Sequence, residues 1–152
     1  MKIAVLSSHT PSLFWFRIDM MKAFLQKGYQ VVAVGNEPEE DENHWKERFL
    51  REGIAYRRIS ISRNGTNPLR DLETLRSIKQ VFREEMPDKL FLYQAKTVIY
   101  GSLAAKALGI REVYALIAGV GSVFVGKGLK TRAIRMILKL EYRKALRHCK
   151  NV

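Results

Sequence analysis

The stretch Lys89-Leu90-Phe91-Leu92-Tyr93-Gln94-Ala95-Lys96-Thr97-Val98-Ile99-Tyr100-Gly101-Ser102-Leu103-Ala104-Ala105-Lys106-Ala107-Leu108 decides the fold. Its first five residues are a short apolar run with two aromatics, the pattern of a strand buried on both faces. From Thr97 to Leu108 the apolar character runs on too long for a strand, and Gly109 follows, where a left-handed helix cap costs glycine least. A strand feeding directly into a helix is one unit of a parallel sheet. The same unit repeats outward. Ile3 to Leu6, Gln30 to Val34, Ile54 to Ile59 and Val113 to Ile117 read as strands. Leu13 to Gln26, His44 to Arg51 and Leu69 to Glu85 read as helices, with Ile18, Met21, Phe24 and Leu25, and then Leu72, Leu75, Ile78 and Phe82, at helical spacing. Gly28, Pro68 and Pro87 mark further boundaries. Five alternating units predict an α/β fold, a Rossmann-like parallel sheet with helices on both faces, as a single domain over 1–152.

Composition narrows the function. The chain has 152 residues, 47% of them hydrophobic, which is enough for one self-sufficient core. A lone cysteine, Cys149, excludes an intrachain disulfide and favours a reducing compartment. No apolar run approaches the roughly 20 residues of a transmembrane helix, and the first residues lack a signal-peptide pattern. The expectation is a chain neither secreted nor membrane-spanning.

Charge is concentrated at one end. The formal net charge is +12, and from Lys127 onward the chain carries nine of its 27 basic residues and only one acid, Glu141. Between 130 and 150, Ile134, Ile137, Leu138, Ala145 and Cys149 fall on one helical stripe, with Leu140 and Tyr142 at its margins. Arg135, Lys139, Arg143, Lys144 and Arg147 occupy most of the remainder. This basic amphipathic helix either lies on an anionic membrane or packs by its stripe and solvates its charges. No helix-turn-helix or aromatic RNA-binding signature accompanies it, so no nucleic-acid partner is expected.

In a sheet of this kind, ligands bind beyond the carboxyl ends of the strands. The candidate segments are Ser7 to Pro11, Gly35 to Glu37, Ser60 to Asn67, Gln94 to Lys96 and Ala118 to Ser122. The first loop has no G-x-G-x-x-G, and no P-loop occurs, which excludes the usual dinucleotide and P-loop chemistry. Gly119-x-Gly121 either approaches a phosphate or sugar or makes a tight turn. His9, at the end of the first strand, is a possible proton acceptor or sugar ligand, or a loop histidine bonded to backbone. Lys96 opens a helix, where a cation could hold a phosphate beside backbone N–H groups; the alternative is a solvent-facing lysine. Asp71, Glu73, Glu84 and Glu85 read as solvated helix surface, and Glu37 to Glu42 as an exposed acidic loop. The three histidines are far apart and no C-x-x-C occurs, so no metal site is expected.

These segments resemble a known family. Arg63-Asn64-Gly65-Thr66-Asn67-Pro68-Leu69-Arg70-Asp71-Leu72 is similar to the R-x-G-x-N-P-x-x-D-L segment of family-4 retaining glycosyltransferases. Gln94 to Ala105 is similar to their H-T-x-K-P-x-I-Y-G-S-L-A-A segment, and Ala118 to Phe124 to their T-G-L-G-x-x-F. Phe16-Arg17 matches an F-R early in the first helix, and Gly28-Tyr29-Gln30-Val31 stands where G-H-x-V is usual. Gln94, Thr97 and Ala118 replace the family's histidine, proline and threonine.

The resemblance implies one half of a GT-B architecture, namely the acceptor-side N-terminal domain. A nucleotide-sugar-binding domain, in cis or as a separate subunit, would complete it. The co-substrates implied are a nucleotide-sugar donor and a lipid-linked acceptor, a polyprenyl-diphosphate-linked sugar of bacterial capsule or lipopolysaccharide synthesis, with no cofactor held by the chain itself. Arg17, Lys96 and Tyr100 would line the acceptor side, and Gly119 and Gly121 would shape the cleft floor. His9 is added by position alone. Arg135, Lys139, Arg143 and Arg147 would face the membrane, placing the protein at the cytoplasmic side of the cell membrane as a peripheral protein. The competing expectation is a non-catalytic membrane-docking subunit of a split glycosyltransferase. A nucleotide-binding regulator has only the fold behind it.

Overall fold

The computed structural model describes residues 1–61, 68–117 and 129–152. The strands are β1 (Lys2–Leu6), β2 (Gln30–Gly35), β3 (Ala55–Arg58), β4 (Lys89–Tyr93) and β5 (Glu112–Leu116). The helices are α1 (Thr10–Gln26), α2 (Glu42–Arg51), α3 (Pro68–Glu85), α4 (Ala95–Leu108) and α5 (Leu129–Leu146). All pairings are parallel, in the order β3-β2-β1-β4-β5. The expected Rossmann-like sheet is what forms. Helices start earlier than periodicity suggested, because polar first turns such as Thr10-Pro11-Ser12 carry no apolar signal.

Alternation along each strand divides two cores. Ala4, Leu6, Val32, Val34, Leu90, Leu92, Val113 and Ala115 face α3, α4 and α5, where Ile78, Phe82, Val98, Ile99 and Ala145 meet them. Ile3, Val5, Val31, Ala33, Tyr56 and Tyr93 face α1 and α2, against Leu13, Met21, Trp45 and Phe49. Strands buried on both faces must be apolar at successive positions, which is why they read as runs. Gly109 caps α4 with φ 74°, and Gly28 follows α1 with φ 81°, as their positions required.

The tail differs from the expected stripe. Ala145 is fully buried, and Leu138, Tyr142, Leu146 and Cys149 pack on the core, but Ile137 is 47% exposed. Met136 and Leu140 also point outward, at 65% and 58% exposure. The buried seam therefore runs through 138, 142, 145, 146 and 149, and it leaves apolar side chains among the basic ones. Beyond α5 the chain returns to the sheet. Lys150 N–H donates to the Val113 carbonyl (2.7 Å), and Asn151 O accepts from Ala115 N–H (3.0 Å).

Three acidic readings are also corrected. Glu85 is buried, holding Lys2 at 2.9 Å and Arg57 at 2.6 Å. Asp71 is ion-paired rather than free. In the acidic run, Glu39–Asp41 are exposed as expected but form a 3-10 turn, and Glu42 opens α2. Glu37 is half-buried and accepts the Thr10 N–H at 2.9 Å. Glu85, Asp71 and Glu37 each meet a partner brought by a distant element, which spacing along one helix cannot reveal.

Candidate functional site

The strand order reverses direction between β1 and β4, so the loops leaving these two strands flank the sheet's switch point. Gln94 joins them. Its side-chain Oε1 accepts from Ser8 N–H (2.8 Å) and Ser8 Oγ (2.7 Å), and Ser7 Oγ lies 2.9 Å away. Behind them, Ser12 Oγ is 2.7 Å from Tyr93 Oη and 3.0 Å from Ser7 Oγ. Gln94 adopts φ 75°, ψ 148° at the N-cap of α4, a backbone region that a non-glycine residue occupies only when its surroundings hold it there. The three oxygen contacts supply that hold.

His9 is the N-cap residue of α1, with extended backbone. Its N–H donates to Ser7 Oγ (3.0 Å), and its carbonyl accepts the Ser12 N–H (3.1 Å). Among the described residues, a carboxylate of the protein's own, Glu37, sits on the Thr10 amide of this helix start. The α1 N-terminus is therefore engaged internally.

Lys96, Tyr100 and Arg17 do not form one cluster. Arg17 stacks over the Tyr93 ring at 5.0 Å, on the α1 side of the sheet, and its buried Nε meets no hydrogen-bond partner among the described residues. Lys96 and Tyr100 lie one turn apart on α4, on the other side. There Lys96 Nζ pairs with Asp71 Oδ1 of α3 at 2.8 Å. Tyr100, Asp71 and Glu141 of α5 line an open groove of about 410 Å³ with Pro68, Leu72, Leu75 and Ile137. Burial, followed by the charges of Glu141 and Asp71, pushes the Tyr100 hydroxyl well above its usual pKa and keeps it protonated. Burial and then Asp71 also raise the Glu141 carboxyl, with Lys96 opposing.

Sequence reasoning found Lys96 and Tyr100 but missed Asp71 and Glu141 as their neighbours. Asp71 was legible as the last polar position of the R-x-G-x-N-P-x-x-D-L segment. Glu141, the one acid of the basic tail, was a signal not followed. Gly119 and Gly121 lie outside the described residues, as do Arg63 to Asn67. Among the described residues no group of three or more histidine, cysteine or acidic side chains could hold a metal ion.

On α5, Lys139, Arg143 and Arg147 are exposed and Arg135 is half-buried. Arg143, Lys144 and Arg147 converge with Lys106, Leu140 and His148 on an open groove of about 510 Å³. No helix among the described residues is long and apolar enough to cross a membrane.

A glycosyltransferase of Campylobacter jejuni, N,N'-diacetylbacillosaminyl-diphospho-undecaprenol alpha-1,3-N-acetylgalactosaminyltransferase, is 27% identical over 143 residues, 94% of this chain but 37% of its own length. Among solved structures, the Staphylococcus aureus MnaA–UDP complex aligns with TM-score 0.63 at 16% identity, over 97% of this chain and 37% of that one. Acinetobacter baumannii MurG aligns with TM-score 0.55 at 19% identity, over 79% and 35% respectively. The chain thus spans little more than a third of each relative, and the structural likeness establishes the fold: a Rossmann-like domain of the GT-B kind. The family model described as glycosyl transferase 4-like matches residues 2–148, and the chain belongs to that family.

Proposed function

We propose that this chain is the acceptor-side domain of a glycosyltransferase that adds a sugar from a nucleotide sugar to a polyprenyl-diphosphate-linked sugar in bacterial surface-glycan synthesis. The similarity across 94% of the chain to an enzyme named for a diphospho-undecaprenol acceptor is the observation that carries this reading. The groove lined by Tyr100 and Asp71, with Lys96 paired to Asp71, supplies a place for the acceptor's polar end. Arg17 contributes from the α1 side, as does His9 at the N-cap of α1. The chain itself holds no cofactor in this reading, and no metal is invoked. The donor's base and phosphates fall to a partner domain, in cis or in trans, so the chain alone lacks the positioning that transfer requires. A peripheral place at the cytoplasmic face of the cell membrane brings α5 to anionic lipid.

Equilibrium binding separates acceptor-side from donor-side function. The chain is expected to bind a short prenyl-diphosphate-linked N-acetylglucosamine, to bind UDP-N-acetylgalactosamine far more weakly, and to show no transfer when given both. Tight binding of the nucleotide sugar alone, or robust turnover, refutes the assignment. The second reading, a docking subunit without chemistry, is favoured only by the basic surface of α5. It predicts vesicle binding with no affinity for the soluble acceptor analogue.

A further inference from the structure

From the Asp71–Lys96–Tyr100–Glu141 cluster we infer a subsite for the uncharged, hydroxyl-bearing sugar ring of the acceptor, rather than for its diphosphate. The inference rests on the acceptor-side reading above. Three helices contribute: Asp71 from the first turn of α3, Lys96 and Tyr100 from α4, and Glu141 from α5.

The charge inventory argues against phosphate. Among the described residues the groove lining carries two carboxyl groups and no cation, and Lys96 stands behind it, held by Asp71 at 2.8 Å. Both partners are largely covered, at 18% and 17% side-chain exposure, so solvent screens the remaining negative charge poorly. A diphosphate entering there would meet Asp71 and Glu141 before it gained Lys96. An alkylammonium ligand would compete with Lys96 for the same carboxylate.

What remains available is hydrogen-bonding capacity of both kinds. The Asp71 and Glu141 carboxyl groups accept, a sugar hydroxyl can take over the bond that the Tyr100 hydroxyl gives Asp71, and the Lys96 ammonium behind them keeps two further donors. Sugar hydroxyls need both. The walls suit the other aspect of a pyranose, because Pro68, Leu72, Leu75 and Ile137 offer apolar surface to its C–H face. Exposed Leu69 and Leu72 continue this surface along α3, at 73% and 42% exposure.

Isothermal titration of the chain with farnesyl diphosphate, and with the same molecule carrying N-acetylglucosamine on its diphosphate, tests the subsite. The sugar-bearing probe should bind about tenfold tighter, as one net hydrogen bond to a charged group would give. Asp71→Asn and Glu141→Gln, each checked by thermal melting for a native fold, should remove most of that difference. Their affinity for bare farnesyl diphosphate should hold or rise as negative charge is lost. Equal affinity of the wild type for both probes overturns the sugar subsite but leaves the acceptor reading intact. So does a pair of variants that keep the tenfold preference. If neither probe binds, both fail.

Discussion

Lys96 Nζ and Asp71 Oδ1 stand 2.8 Å apart, across the packed pair α3 and α4. Each belongs to a different segment that resembles the glycosyltransferase family, so the contact ties the two segments together. Asp71 would otherwise be a helix-surface acid and Lys96 a helix-start lysine. The pair is more covered than an ordinary surface bridge, and it should couple more strongly. A double-mutant cycle with Asp71→Ala and Lys96→Ala should give a coupling of about 1–2 kcal/mol by urea unfolding. Additive single effects would reduce the pair to a surface bridge of the sort worth well under 1 kcal/mol.

Gln94 makes the next prediction. Its side chain ties the β1–α1 loop to the end of β4 and offsets part of the cost of its positive φ. Gln94→Ala keeps the strained φ and removes the acceptor for Ser8, so it should cost roughly 2 kcal/mol. Gln94→Gly removes the same acceptor but relieves the backbone, and should cost less in the folded state despite the added freedom of the unfolded chain. Amide exchange at Ser8 should quicken in both. Unchanged exchange would mean the β1–α1 loop holds its shape without Gln94.

These two cases show what the sequence made readable. The strands and helices were legible because burial on both faces writes apolar runs and helical stripes into the chain. A helix following β4 was legible too, although its first residues, Ala95 and Lys96, precede the Thr97 at which the apolar pattern begins. The partners of Asp71, Glu85 and Glu37 were not. Each lies on an element far away in sequence, and which neighbour arrives is set by strand order. In α5 the stripe holds at 138, 145 and 149, but Ile137 turns outward and the packing of the helix on α4 draws in 142 and 146 instead. The glycines at 119 and 121 lie outside the described residues.

Glu85 should govern acid stability. Burial alone would raise its pKa, but the Lys2 hydrogen bond and the Arg57 charge outweigh this and hold it below the usual carboxylate value. A lowered native pKa means stabilisation that is full above the unfolded value of 4.5 and fades as pH falls through the native one. Glu85→Gln should therefore destabilise the protein at pH 7 by roughly 2 kcal/mol, leaving Lys2 and Arg57 without their carboxylate. The difference from wild type should shrink below pH 4.5. Urea midpoints measured from pH 7 down to pH 3 decide it; a penalty independent of pH would place the effect in packing, not charge.

The outward face of α5 carries the last prediction. Lys139, Arg143, Lys144 and Arg147 are exposed, and Met136 and Leu140 lie among them at 65% and 58% exposure. A helix that only packed on its own domain would gain nothing from apolar side chains set between its charges. A helix lying in an interface gains from both, as the bases meet anionic headgroups and the apolar groups enter beneath them. Each base near the surface is worth about 1 kcal/mol, so four give on the order of a thousandfold preference for anionic over neutral vesicles. Added salt should weaken it, since exposed charges are screened over roughly 10 Å at 0.1 M. Changing Lys139, Arg143, Lys144 and Arg147 to glutamine should abolish the preference, and Met136→Ser with Leu140→Ser should weaken binding to anionic vesicles without changing its salt dependence. Sedimentation with phosphatidylglycerol and phosphatidylcholine vesicles reads both effects. Equal binding to the two lipids, or to neither, leaves α5 as a packing helix with a solvated basic face.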